Sequence, residues 1–163
     1  MIVSDAIRAA DALRPNTLDD LQKAQWVENL DLAVEDMMLD VRGLAEAVRN
    51  YSRGIYDKRM LAQLVQSGTI TPSDYRAITG IPDTEEIVPH HREGHYPEDD
   101  WSLLLPEPYA EAYTLYLVSQ IDYYNQETDL YQNDKAMYEA KWSEAQAWWR
   151  RNNRPRSMCG WKV

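Results

Sequence analysis

Two stretches of this chain repeat apolar residues every three or four positions, and the segment between them holds too many prolines to continue either. The first runs through Leu21, Ala24, Val27, Leu30, Val34, Met37, Val41, Leu44 and Val48. The second runs through Tyr113, Tyr116, Leu117, Val118, Ile121 and Tyr124. It lapses at Asn125 to Thr128 and resumes with Leu130, Tyr131, Met137, Tyr138, Trp142, Ala145 and Trp149. That spacing gathers side chains on one face of an α-helix, whereas a strand requires strict alternation. The chain therefore predicts an all-α helical bundle. Pro82, Pro89, Pro97, Pro106 and Pro108, with Gly94, predict a long exposed loop over 81–106, in which "EEIVPHH" offers an edge strand.

Shorter signals divide the helical parts. Ser4 and Asp5 open a helix over about 4–13, which Pro15 and Asn16 end. Thr17 with Asp20 resembles a capping box and starts a long helix from residue 18 to about Asn50, bent at Gly43. Met60, Leu61, Leu64 and Val65 form a short helix closed by Gly68. Thr71 and Pro72 open another that Gly80 closes, so 57–80 reads as a helix-turn-helix hairpin. A helix pair over 107–151 is expected to pack antiparallel, and the aperiodic "NRPRSMCGWKV" after Asn152 reads as an arm. The organisation expected is one helical domain over 1–152, carrying the hairpin and the loop, and an extended arm over 153–163. Trp26, Leu30, Tyr113, Tyr116, Leu117, Ile121, Tyr138 and Trp142 are the expected core.

A length of 163 residues suits one domain, and 44% hydrophobic with 27% charged residues excludes a disordered chain. No apolar run approaches the roughly 20 residues of a membrane span, and "MIVSDAIRAAD" has no basic stretch leading into an apolar one, so neither a span nor a secretory signal is expected. Cys159 is the single cysteine, so no intrachain disulfide forms. The formal charge of −10 argues against a general nucleic-acid binder. It is unevenly placed: 83–111 holds nine acidic residues against Arg92, whereas Arg150, Arg151, Arg154, Arg156 and Lys162 close the chain with no acidic side chain after them.

Chemistry-bearing residues cluster in three places. His90, His91 and His95 lie near Glu93, Glu98, Asp99 and Asp100, which are metal-ligating types, but the spacing fits no zinc motif and Gly94 and the prolines deny the helix that HExxH needs. A metal-dependent enzyme using these histidines is one alternative reading. The hairpin gives a second, a regulatory DNA-binding protein, although "PSDYRAIT" sets Arg76 alone against Asp74 where a recognition helix carries several phosphate-binding cations. The third cluster is the C-terminal group Trp148, Trp149, Arg150, Arg151, Arg154, Arg156 and Trp161. Trp and Arg are the residues most enriched at interface hot spots, so these seven are the candidate partner-binding residues. The arm is expected to order only against a partner or adjacent subunit. No nucleophile sits beside a base and no glycine-rich phosphate loop occurs, so no catalytic residue, cofactor or resident metal is expected.

"ALRPNTLDDLQKAQWVENLD" and "LLLPEPYAEAYTLYLVSQIDYYNQETDLYQNDKAMYEAKWSEAQAWWRRNNRP" resemble a family of phage and prophage head-tail connector (adaptor) proteins. The matching positions are Arg14-Pro15-Asn16, Trp26, Leu30-Asp31, Pro106, Pro108-Tyr109, Tyr113, Tyr116-Leu117, Ile121-Asp122, Asn125, Tyr131-Gln132-Asn133, Met137, Tyr138 and Trp142. Between them, "DKRMLAQLVQSGTITPSDYRAITG" is similar to the G-x-I-T-x-x-x-Y-x-x-I-T-G hairpin of small XkdX-like proteins from phage tail modules. The first resemblance implies a structural virion protein, made in the bacterial cytoplasm. It would form a homo-oligomeric ring, commonly of twelve copies, beneath the portal protein at the head-tail junction. Its partners would be the portal, other copies of itself, a tail-side connector or tail protein, and passing DNA that it does not read. Its C-terminal arm would dock on the portal.

Overall fold

The structure, a computed structural model, describes residues 1–90 and 94–153. It contains α1 (Val3–Leu13), α2 (Asp20–Leu39), α3 (Leu44–Ser52), α4 (Lys58–Gln66), α5 (Pro72–Thr79), α6 (Glu111–Tyr124) and α7 (Thr128–Asn152). The fold is all-α. Among the described residues the only extended pairing is an isolated antiparallel bridge between Ile2 and Ser102, so "EEIVPHH" supplies no strand there. The chain forms two compact units: Met1–Met37 with Arg92–Trp148, and Met38–His91 with the residues from Trp149 onward.

In the first unit α6 is the central element. Ala112, Tyr113, Leu115, Leu117, Val118 and Ile121 are all buried, which surrounds the helix with protein rather than giving it one wet face. α1 packs on it through Val3, Ala6, Ile7 and Ala10, whose spacing makes one stripe and whose alanines permit close approach. The start of α1 differs from the expected Ser4 cap. Ile2 occupies the cap position without a side-chain acceptor, and the free N–H groups turn instead to the loop: Ser4 N donates to Asp100 Oδ1 at 2.9 Å and Val3 N to the Trp101 carbonyl at 3.3 Å. The loop is correspondingly not exposed throughout. Trp101, Leu103 and Leu105 are buried, and Gly94 lies so close to Trp101 that an added Cβ would meet its ring at 2.1 Å.

α2 begins at Asp20, and Asp19 rather than Thr17 accepts the Leu21 N–H, at 3.2 Å. Its buried stripe follows Ala24, Val27, Leu30 and Val34, then shifts to Met38 in place of Met37. The expected continuous helix to Asn50 is interrupted over 40–43. Two interactions hold the break. Arg42 N donates to Glu46 Oε2 at 2.8 Å, and the buried Tyr56 hydroxyl donates to the Met38 carbonyl, a group that a continuous helix would have used internally.

The second unit contains α3, α4 and α5. Met60, Leu61 and Leu64 of α4 are buried and pack toward α5 through Ile70 and Tyr75. Leu30, Tyr113, Leu117 and Ile121 are buried as expected of the core, but Trp26, Tyr116, Tyr138 and Trp142 are only half-buried. Leu21, Tyr124, Leu130 and Met137, read as stripe residues, are exposed. The described residues contain no helix long and apolar enough to cross a membrane.

Candidate interaction surfaces

The hairpin turns each residue of its sequence signature into a structural part. Asp57 caps α4 by accepting the Met60 N–H at 2.8 Å. Gly68 takes a φ of +77°, which a side chain would strain, and so turns the chain out of α4. Ile70 is buried, and Thr71 and Asp74 complete a reciprocal capping box: Asp74 N donates to Thr71 Oγ1 at 3.1 Å and Thr71 N to Asp74 Oδ2 at 3.0 Å. The Thr71 N–H and then the Thr71 hydroxyl, both donating to Oδ2, hold the Asp74 carboxyl below the usual aspartate range. Tyr75 is buried, Thr79 Oγ1 donates back to the Tyr75 carbonyl at 2.8 Å, and Gly80 ends α5 in the left-handed conformation.

Both charged residues of α5 have partners close in sequence. Arg76 is committed to Asp83, at 3.4 Å, and to the Glu85 carbonyl, at 3.5 Å, and Asp74 is committed to the cap. Along one side, α3 and α5 leave a groove of about 640 Å³ lined by Leu44, Val48, Tyr51, Asp74, Ala77 and Ile78.

The C-terminal candidates divide. Trp148 is half-buried and stacks on Tyr109, with ring centres 5.3 Å apart. Trp149 is only 3% exposed and lies 6.4 Å from the Tyr56 ring, so this candidate belongs to the interior of the second unit and not to a docking surface. Arg150 and Arg151 are exposed. Arg154, Arg156 and Trp161 lie outside the described residues, as does nearly all of the expected arm. Asn153, assigned to that arm, is instead buried and fastened: its Oδ1 accepts from Asn50 at 2.9 Å and from Arg49 at 3.3 Å, and its Nδ2 donates to the Trp149 carbonyl at 3.1 Å.

Of the histidines, His90 offers its carbonyl to Arg59 and Gln63, at 3.3 and 3.2 Å. His91 and Glu93 lie outside the described residues, and the described residues contain no group of three or more metal-ligating side chains placed to hold an ion.

In the first unit the positions that carry the connector resemblance meet one another. Arg14 reaches Asp122 at 3.0 Å and Asp134 at 2.8 Å. Asn16 organises the turn by accepting the Leu18 N–H at 3.0 Å and donating to Asp11 at 2.7 Å, and Asp11 also binds the buried Lys23 at 2.8 Å. Asp31 accepts the Leu104 N–H at 3.0 Å and the Tyr113 hydroxyl. Burial, then the neighbouring Asp31 charge, pushes the Tyr113 phenol well above its usual range. Tyr116 and Tyr138 pack ring against ring at 5.2 Å, and burial pushes Tyr138 up to about 12.

The Arg14 cluster was not legible as a site, because Asp134 is not among the matching positions of the resemblance and Arg14 stands 108 and 120 residues from its two carboxylates, which leaves no local pattern. The Asp122 side chain is only 2% exposed. Desolvation, then its hydrogen bond with Asp134, raises its carboxyl to about 6, and Arg14 offsets part of the rise.

Residues 49–82 match Phage_XkdX, a family described as a phage uncharacterised protein. This span takes in the end of α3 and the whole of the α4–α5 hairpin, so the chain carries a phage-protein segment. No curated protein and no solved structure matches the chain significantly.

Proposed function

We propose that this chain is a structural component of a phage particle, a head-tail connector that forms a ring below the portal protein and joins capsid to tail. The observation that carries the reading is the mutual contact of the positions behind the connector resemblance: Arg14 with Asp122, Asp31 with Tyr113, and Tyr116 with Tyr138. Residues spread over the two matching stretches and drawn into shared contacts are what a common scaffold requires, and chance similarity gives no reason for them to meet.

The hairpin, which matches a phage protein family over residues 49–82, supports a place among virion proteins. An acidic chain also suits a channel wall, where repelled phosphates pass without adhering. In this role the partners are the portal, neighbouring copies in the ring, a tail-side protein, and transiting DNA. Arg150, Arg151 and the segment beyond Asn153 supply the docking contacts, and the chain performs no chemistry of its own. The DNA-regulator reading is weakened by the commitment of Arg76 to Asp83 and Glu85.

The test is a gene deletion in the phage, followed by electron microscopy of the lysate. The reading expects DNA-filled heads and free tails that fail to join, with joining restored by the wild-type gene in trans. Normal tailed particles from the deletion would overturn it, and so would arrest before the head fills.

A further inference from the structure

We propose that residues 154–163 of this chain bind the groove between α3 and α5 of the same molecule. The inference goes beyond the connector reading and does not depend on it.

The groove is an open feature of the second unit and is exposed where a core helix would be covered. Leu44 and Val48 are 41% and 39% exposed, and Tyr51, Ala77 and Ile78 complete an apolar floor. Its volume of about 640 Å³ falls in the range of sites that enclose a compact apolar ligand. Asp74 lies on its lining, and no basic side chain does. The segment beyond Asn153 is the complement: Met158, Trp161 and Val163 are apolar, Arg154, Arg156 and Lys162 are basic, and it has no acidic side chain.

The root of the segment is fixed next to the groove. Asn153 is buried and bonded to Asn50 and Arg49, both on α3, the helix that supplies Leu44, Val48 and Tyr51. Asn50 faces the interior and Leu44 and Val48 face outward, so the chain must pass around one helix, a body about 10 Å across. At roughly 3.3 Å per extended residue, the five residues Arg154 to Met158 cover about 17 Å, which is enough. Met158 to Val163 then fall along the groove, with Trp161 as the anchor. Tethering keeps the segment at an effective concentration in the millimolar range, which favours its own groove over that of another copy. The segment thus has a place to order without a partner, contrary to the expectation from sequence, and a portal or neighbour that takes it must displace it.

Cys159, the single cysteine, provides the test. A thiol is introduced by Ala77→Cys in the groove or, as a control, by Gln66→Cys at the end of α4, and the full-length purified protein is oxidised briefly with diamide at low concentration. The proposal expects an intramolecular disulfide from Ala77→Cys, seen as a faster-migrating monomer and as the linked peptides by mass spectrometry, at least tenfold more abundant than from Gln66→Cys. Adding Val48→Glu, an exposed change, should lower that linkage about tenfold with the helical circular dichroism unchanged. Disulfide-linked dimers alone would place the segment of a second copy in the groove and overturn the proposal. Equal linkage at both positions, no linkage, or indifference to Val48→Glu would overturn it too.

Discussion

Replacing Asp122 by Asn should change how the stability of the protein depends on pH, with a sign opposite to that of an ordinary salt-bridged aspartate. Asp122 is almost fully buried and faces both Asp134 and Arg14, and its carboxyl is raised from 3.8 to about 6, by desolvation first and by the Asp134 hydrogen bond second. A group that binds its proton more tightly in the folded state than in the unfolded state adds stability as the pH falls. The gain begins as the pH drops through 6 and is complete below the unfolded value near 3.8. Integrating between pH 7 and pH 5 gives about 1 kcal/mol in favour of the acid side, and the full displacement corresponds to about 3 kcal/mol.

The assay is urea denaturation at pH 7 and pH 5, followed by circular dichroism, for the wild type and Asp122→Asn. Taking the difference between the two proteins cancels every other titrating group. The wild type should gain about 1 kcal/mol more than the variant on going to pH 5. Replacing Arg14 by Met should enlarge the gain of the wild-type background, since the two carboxylates would then face each other without a cation. An equal pH response in wild type and Asp122→Asn, or a larger acid gain in the variant, would refute the coupling described for this cluster.

Other consequences can be checked by the same denaturation measurements. Leu61→Ala removes a fully buried side chain from the hairpin and should cost about 2 to 5 kcal/mol; an unchanged midpoint would mean the α4–α5 packing is wrong. Gly94→Ala puts a Cβ 2.1 Å from the Trp101 ring and should cost about 1 to 3 kcal/mol, whereas Gly43→Ala, with open space around it, should cost much less. Trp142→Ala, at a half-buried site, should cost about 2 kcal/mol rather than the larger loss of a fully buried tryptophan. Deleting residues 154–163 should abolish incorporation into particles while the helical circular dichroism is kept, because it removes the docking contacts and spares the bonds that end at Asn153.

The helix class, the hairpin and the proline-dense loop were legible because each rests on local chemistry: period, caps and glycine or proline at fixed offsets. Thr71, Pro72 and Gly80 place α5 almost to the residue. What was not legible depends on partners distant in sequence. The apolar period continues past residue 40, yet the helix breaks, because Glu46 and Tyr56 give the freed backbone groups better partners. The cap of α1 comes from Asp100, almost a hundred residues away, where Ser4 was the local candidate. The same reason explains the candidate surface. Trp149 looked like a docking residue by composition and Asn153 like the start of an arm, but Tyr56, Asn50 and Arg49 draw them inside, while Leu130 and Met137 kept the period of a core and stand outside it.

The most direct test of the central claim is to locate the chain in the purified particle by electron cryomicroscopy, with an epitope-tagged copy to assign the density. The account predicts a closed ring of copies between portal and tail, its helices fitting α1, α2, α6 and α7 with the α4–α5 hairpin. Density for the chain only at the far end of the tail, or mature particles that lack it altogether, would contradict the account.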